Sequence, residues 1–152
     1  MRVLIAGTGA LACYFAARLA GSGSKVTMMG SWPEGLMALS QNGVRLLDMD
    51  GQTHMFSVGV MPGAEARGNF KSALVLVKAW QTERTAVQLN HCLARDGIAL
   101  TLQNGSGNYE ILADVLGAER AALGVTTVGA RMLEPGFVQY TGKGKVSLGR
   151  HP

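Results

Sequence analysis

Short aliphatic runs alternate along this chain with longer segments of mixed polarity, and glycines stand at most of the junctions. Residues 2–6, apolar from Val3 to Ala6, read as a short buried strand closed by Gly7, residues 10–21 read as a helix, and residues 25–29 repeat the strand signal after Gly21 and Gly23. The order strand, helix, strand predicts the opening of a βαβ unit. A short helix is expected over residues 33–41, with Pro33 in its first turn where a missing N–H is tolerated. Residues 44–49 and 52–60 are β-prone runs around Asp50-Gly51, and the simplest account is a hairpin inserted beside a parallel sheet.

Farther along, residues 73–77 are continuously aliphatic, as a strand covered by helices on both faces must be. A helix follows over 82–93, a strand over 98–102, a turn at Gly105-Ser106-Gly107-Asn108, a helix over 109–116 and a strand over 121–127. Glu134-Pro135-Gly136 reads as a turn, and residues 137–141 and 145–148 as two strands joined across Gly142-Lys143-Gly144. The 152 residues suffice for one apolar core but hardly two, so residues 1–152 are read as a single dinucleotide-binding domain. The predicted class is α/β, a Rossmann-type parallel sheet with flanking helices and a small antiparallel β extension. No helical tail separates the last strand from His151-Pro152, and the chain reads as cut rather than finished.

Chemistry enters at Gly7-Thr8-Gly9-Ala10-Leu11-Ala12, a G-x-G-x-x-G/A turn between a strand and a helix. Gly7 allows the tight turn, Gly9 lets the backbone approach a pyrophosphate, and Ala12 lets the helix pack close to the strand. The helix N-terminus offers free N–H groups and a partial positive charge to the diphosphate. Methyltransferases that use S-adenosylmethionine share a related turn, but they commonly place an acidic residue at the end of the second strand. This chain reads Met28-Met29-Gly30-Ser31-Trp32 there, with no carboxylate until Glu34. NAD enzymes usually have Asp or Glu at the same place for the ribose 2′-hydroxyl, so its absence favours a 2′-phosphate, with Ser31 placed to donate a hydrogen bond to it.

Composition narrows the function classes. With 47% hydrophobic residues, 16% charged residues and 21 glycines, the chain is neither disordered nor a coiled coil. The net charge of +4 comes from scattered bases with no aromatic or arginine-rich stripe, which points to an anionic small molecule and away from nucleic acid. Cys13 and Cys92 fall in predicted helices and are expected to be buried thiols in a reducing cytoplasm, and no metal is expected. The first apolar run is too short for a signal peptide, and no stretch reaches the ~18 apolar residues of a membrane span, so a soluble, cytoplasmic protein is expected. Asn104-Gly105-Ser106 matches a glycosylation sequon but carries little weight without a secretory signal.

Three further segments carry a resemblance: Val75-Leu76-Val77-Lys78-Ala79-Trp80-Gln81, residues 101–108 (Thr-Leu-Gln-Asn-Gly-Ser-Gly-Asn), and residues 124–131 (Gly-Val-Thr-Thr-Val-Gly-Ala-Arg). With the glycine turn, and in the same order and spacing, they resemble the N-terminal NADP-binding domain of the 2-dehydropantoate 2-reductase (ketopantoate reductase) family. That resemblance implies that Gly7 through Ala12 hold the pyrophosphate, Lys78 lies near the cofactor, Asn104 contacts both cofactor and substrate, and Ala130 lines the cofactor site. It implies NADPH as cofactor, a 2-keto acid as substrate, and reduction of 2-dehydropantoate to (R)-pantoate on the route to pantothenate. It also implies a second, helical domain that supplies the general acid, a lysine, and most substrate contacts; nothing in this chain corresponds to it. Where the family commonly has arginine this chain has Ser31, which leaves Lys25, Arg45 and Lys78 as the candidate compensating cations. An apolar patch that drives self-association is expected near residues 129–137, where the second domain would dock. A reductase of another 2-keto acid, or a stand-alone nucleotide-binding sensor, is the rival reading.

Overall fold

The computed structural model describes residues 1–149. The expectation attached to His151-Pro152 lies outside them. The elements in chain order are β1 (Arg2–Ala6), α1 (Ala10–Gly21), β2 (Lys25–Gly30), α2 (Pro33–Asn42), β3 (Val44–Leu47), β4 (Thr53–Phe56), β5 (Gly59–Pro62), β6 (Phe70–Val75), α3 (Thr82–Cys92), β7 (Leu93–Thr101), α4 (Asn108–Leu116), β8 (Ala121–Thr126), β9 (Gly129–Glu134), β10 (Phe137–Gly142) and β11 (Val146–Leu148).

The α/β class holds. Seven strands form one sheet in the order β11-β8-β7-β6-β1-β2-β5, parallel throughout except for the β8–β11 pair at one edge. Successive side chains of a strand point to opposite faces, and β1 is buried on both. Leu4 and Ala6 join a cluster with Val75, Leu89 and Leu112, while Val3 and Ile5 join one with Ala12, Ala16 and Met28. Burial on both faces is why β1 reads as a continuous apolar run. The order reverses at β1, which has β2 on one side and β6 on the other, and in sheets of this kind ligands bind outside the carboxyl ends at such a reversal.

A second, four-stranded sheet runs β4-β3-β10-β9, with antiparallel pairs at both ends and a parallel β3–β10 pair between them. Helix α1 lies between the two sheets, since Val44, Leu46 and Val138 of the small sheet share a core cluster with Ala12, Cys13 and Ala16. Arg18 of α1 donates to both oxygens of Asp48 at 3.0 and 3.1 Å, and its guanidinium lies 5.1 Å from the rings of Tyr14 and Tyr140.

Several sequence expectations are corrected. The run 52–60 is not one strand: Thr53–Phe56 pairs with β3, the chain breaks at Ser57-Val58, and Gly59–Pro62 joins the main sheet beside β2. Residues 145–148 do not pair with the strand before them; β11 adds antiparallel to β8, while β10 pairs with β3 and β9. Strand β9 carries no sequence signal of its own, although the turn at residues 134–136 that joins it to β10 does. These are edge or half-exposed strands, in which local polarity does not choose a partner. The aliphatic run expected as a strand over 73–77 is also displaced: pairing spans Phe70–Val75, and Leu76 and Val77 continue past the sheet into the cleft described below.

Cys13 and Cys92 are free, buried and in different core clusters. Burial pushes the Cys13 thiol up to about 12 and the Cys92 thiol to about 11. Because the thiolate is the reactive form, neither is expected to react with a thiol-specific disulfide reagent at neutral pH until denaturant is added. A fast stoichiometric reaction of the native chain would contradict this burial. Among the described residues no helix is long and apolar enough to cross a membrane.

Candidate functional site

The site begins where β1 ends. The Gly7 N–H donates to the Met29 carbonyl at 2.8 Å, and Gly7 adopts φ +129°. A Cβ on Gly7 would stand 3.0 Å from the carbonyl carbon and oxygen of Leu76, so the turn is held between β2 and the segment that follows β6. Gly9, the residue before α1, is extended and exposed, and a Cβ there would meet nothing within 4 Å. No side chain caps the helix and no acidic residue lies in its first turn. A twelve-residue helix therefore points uncapped N–H groups past a bare backbone into open space, which fits a diphosphate on steric and electrostatic grounds.

Two adjoining clefts open at this point. One is lined by Gly7, Thr8 and Gly9 together with Ser31, Trp32, Lys78 and Arg84. The other is lined by Gly9, Ala10 and Leu11 together with Lys78, Gln103, Asn104 and Ala130. Gly9, Leu76, Val77 and Lys78 border both, so the clefts form one groove bent across the glycine turn. The expected residues Gly7, Thr8, Gly9, Ala10, Leu11, Ser31, Lys78, Asn104 and Ala130 all line it. Ala12 lies behind them, buried in the α1 core, in the packing role its size suggests.

Two of the expected compensating cations are not there. Lys25 is the first residue of β2, about 16 Å along the strand from Gly30 at ~3.3 Å per residue. Arg45 belongs to the small sheet, where it donates to Glu134 Oε2 at 3.3 Å and lies 4.8 Å from the Phe137 ring. Lys78 does border the groove. Arg84 of α3, which the sequence reading missed, lines it too and donates from Nη2 to Ser31 Oγ at 3.1 Å. A signal was present: Gln81, Arg84, Thr85 and Gln88 recur at helical spacing, forming one polar face, and all four line the first cleft. None of the residues lining either cleft is Asp or Glu.

A buried polar network holds the Asn104 arm. Gln103 donates through Nε2 to the Val77 carbonyl at 2.8 Å and to Thr82 Oγ1 at 2.9 Å. The Thr82 hydroxyl donates to Asn108 Oδ1 at 2.8 Å, and Asn108 Nδ2 donates to the Asn104 carbonyl at 3.2 Å. Thr101 Oγ1 completes it, donating to Gln103 Oε1 at 2.9 Å. The ends of β6 and β7 are thereby tied together behind exposed Asn104, and a satisfied network of this kind is rigid. Gln103, Thr82 and Asn108 were not singled out from sequence as supports, although polar side chains after apolar runs were the available cue.

The apolar patch is not where it was expected. Ala130 and Met132 of β9 pack against the α1 cluster, leaving Leu133 at 36% exposure in that stretch. Greater exposure falls elsewhere, with Trp80 at 79%, Leu148 at 65% and Val125 at 56%.

The family model for ketopantoate reductase PanE/ApbA matches residues 3–152. A 2-dehydropantoate 2-reductase of Halobacterium salinarum is 34% identical over 152 residues, covering 99% of this chain and 50% of that protein. Among solved structures, 2-dehydropantoate 2-reductase from Geobacter metallireducens aligns with 99% of this chain and 50% of its own, with a TM-score of 0.88 and 32% identity. D-mandelate dehydrogenase, solved with NADH and anilino(oxo)acetate, aligns with 96% of this chain and 47% of its own, with a TM-score of 0.90 and 25% identity. The chain thus spans about half the length of the relatives it matches.

Proposed function

The chain belongs to the ketopantoate reductase PanE/ApbA family, and from that premise we propose that it supplies the NADPH-binding half of an oxidoreductase that reduces 2-dehydropantoate to (R)-pantoate in pantothenate synthesis. The observation that carries the reading is the continuity of the groove, in which bare Gly9 and the open end of α1 lie between a cationic arm and the Asn104 arm. On this reading Gly7 to Leu11 take the pyrophosphate, with Ala12 behind them. Ser31 and Lys78 face the adenosine ribose and its phosphate, and Asn104 and Ala130 face the nicotinamide and the 2-keto acid.

Bound nicotinamide would supply the hydride, and the developing alkoxide would need a proton. Asn104 presents an amide that donates and accepts hydrogen bonds beside a carbonyl but does not release a proton. Lys78, on the border between the arms, acts as a point charge for phosphate. The general acid, a lysine, and most contacts to the acid substrate are assigned to a helical second domain, consistent with the half-length match to relatives. A cytoplasmic location accompanies this function. A second reading, reduction of a different 2-keto acid with NADH, is favoured by the likeness to D-mandelate dehydrogenase.

The test is a fluorescence titration of this chain with NADPH, followed by addition of 2-dehydropantoate. Saturable binding with no loss of the 340-nm reduced-nicotinamide absorbance is expected, 340 nm being roughly the band that reports hydride transfer. Turnover by the chain alone would overturn the assignment of the proton donor. Absence of binding would overturn the cofactor assignment.

A further inference from the structure

Cofactor selectivity in this fold is decided where the second strand ends, by whichever group meets the ribose 2′ position. Here that residue is Ser31, which is exposed, short and uncharged. Its hydroxyl accepts a hydrogen bond from Arg84 Nη2 at 3.1 Å, across 53 residues of sequence, and both side chains line the cleft that begins at Gly7. A guanidinium has five N–H donors in a planar fork, and among the described residues Arg84 makes this one side-chain hydrogen bond and no ion pair with a carboxylate. The remaining donors are available at the mouth of the cleft.

The surroundings agree with an anion at this point. No Asp or Glu lines the cleft, so nothing there would select a free 2′-hydroxyl or repel a phosphate. Lys78 enters from the end of β6 as a second cation. The position of Arg84 is set by a regular helix whose neighbouring face, Gln81, Thr85 and Gln88, lines the same wall.

The geometry points to Arg84 as the determinant of NADP over NAD selectivity in this chain: it and Ser31 together bind the adenosine 2′-phosphate, and the cation comes from α3 rather than from the loop after β2. Ser31 is the relay that holds the guanidinium at the cleft, and its hydroxyl proton is free to point at a phosphate oxygen while its lone pair accepts from Arg84. Arginine suits the task better than lysine because its fork matches two phosphate oxygens at once. The inference rests on the proposed dinucleotide reading of the cleft.

The experiment titrates NADPH, NADH, 2′,5′-ADP and 5′-ADP onto the chain and its variants, reading affinity by calorimetry. Arg84→Gln is expected to weaken NADPH and 2′,5′-ADP roughly tenfold to hundredfold, the range of one charge-assisted hydrogen bond, and to leave NADH and 5′-ADP within about twofold. Arg84→Lys should recover part of the loss. Ser31→Arg in the Arg84→Gln background should recover most of it, because a cation from the loop then replaces the one from the helix. Arg84 is exposed, so these variants should keep the thermal unfolding of the parent chain. Equal losses for phosphorylated and unphosphorylated ligands, or unchanged NADPH affinity in Arg84→Gln, would overturn the role of Arg84 while leaving the cleft a dinucleotide site. If the parent chain binds none of the four ligands, the reading of the cleft fails and the inference falls with it.

Discussion

Gly9→Val is expected to remove NADPH binding, by a hundredfold or more, while leaving the fold in place. Gly9 has φ −83° and ψ −166°, extended backbone that valine adopts readily, and a Cβ there meets nothing within 4 Å. The folded chain loses only the advantage of glycine over valine at a helix start, on the order of 0.5–1 kcal/mol. That corresponds to a melting shift of about 1–4 °C for a domain of this size. Binding is different, because the space the valine would fill is the space in front of the α1 N–H groups. A diphosphate displaced outward by an isopropyl group forfeits several hydrogen bonds to backbone and the favourable end of the helix dipole together. The measurement is a calorimetric titration beside a thermal melt. Unchanged NADPH affinity in a folded Gly9→Val chain would move the pyrophosphate away from this turn.

Two residues earlier the opposite outcome is expected. Gly7→Ala should destabilise the chain by about 2–6 kcal/mol, summing a left-handed backbone cost of roughly 1–3 kcal/mol and an overpacking cost of similar size. The first arises because Gly7 holds φ +129°, and the second because the added methyl lies 3.0 Å from the Leu76 carbonyl carbon and oxygen. Those atoms are backbone and cannot turn aside as the end of a long side chain would, so the end of β1 must move away from the segment after β6. Against the 5–15 kcal/mol that typically holds a domain together, this is a large share. Denaturant unfolding should show a strongly lowered midpoint, and any loss of NADPH binding should follow the loss of folded chain. A Gly7→Ala chain as stable as the parent would mean that the turn relaxes without cost. The two glycines occupy one six-residue motif, yet one serves the ligand and the other the fold.

Much of the architecture was legible because its signals are local. The buried strand β1 and the second half of β6 announce themselves as aliphatic runs, since both faces of the sheet are covered there and leave no polar positions at its centre. Helix α1 is bounded by glycines, and α2 has proline in its first turn. The glycine turn marks the start of the site for the same reason: tight backbone geometry restricts residue type within six positions. Lys78, Asn104 and Ala130 could be placed near the groove because each follows a strand whose carboxyl end faces it.

What sequence could not decide depends on groups that meet only after folding. Thr53–Phe56 and Gly59–Pro62 read as one run, yet hydrogen bonding assigns them to different sheets, and the half-exposed residues of β9 gave no alternation to read. The partner of Ser31 lies 53 positions away on a helix; of the three cations that sequence offers, Lys25, Arg45 and Lys78, only Lys78 reaches the groove, and Arg84 joins it there. Local pattern therefore determined which segments are helix or buried strand and where the backbone turns for a diphosphate, because those properties are set by neighbours within a few residues. Tertiary structure alone decided which edge strands pair and which cation stands beside Ser31, because an edge pairing or a side-chain contact is a property of two distant segments brought together by a shared core.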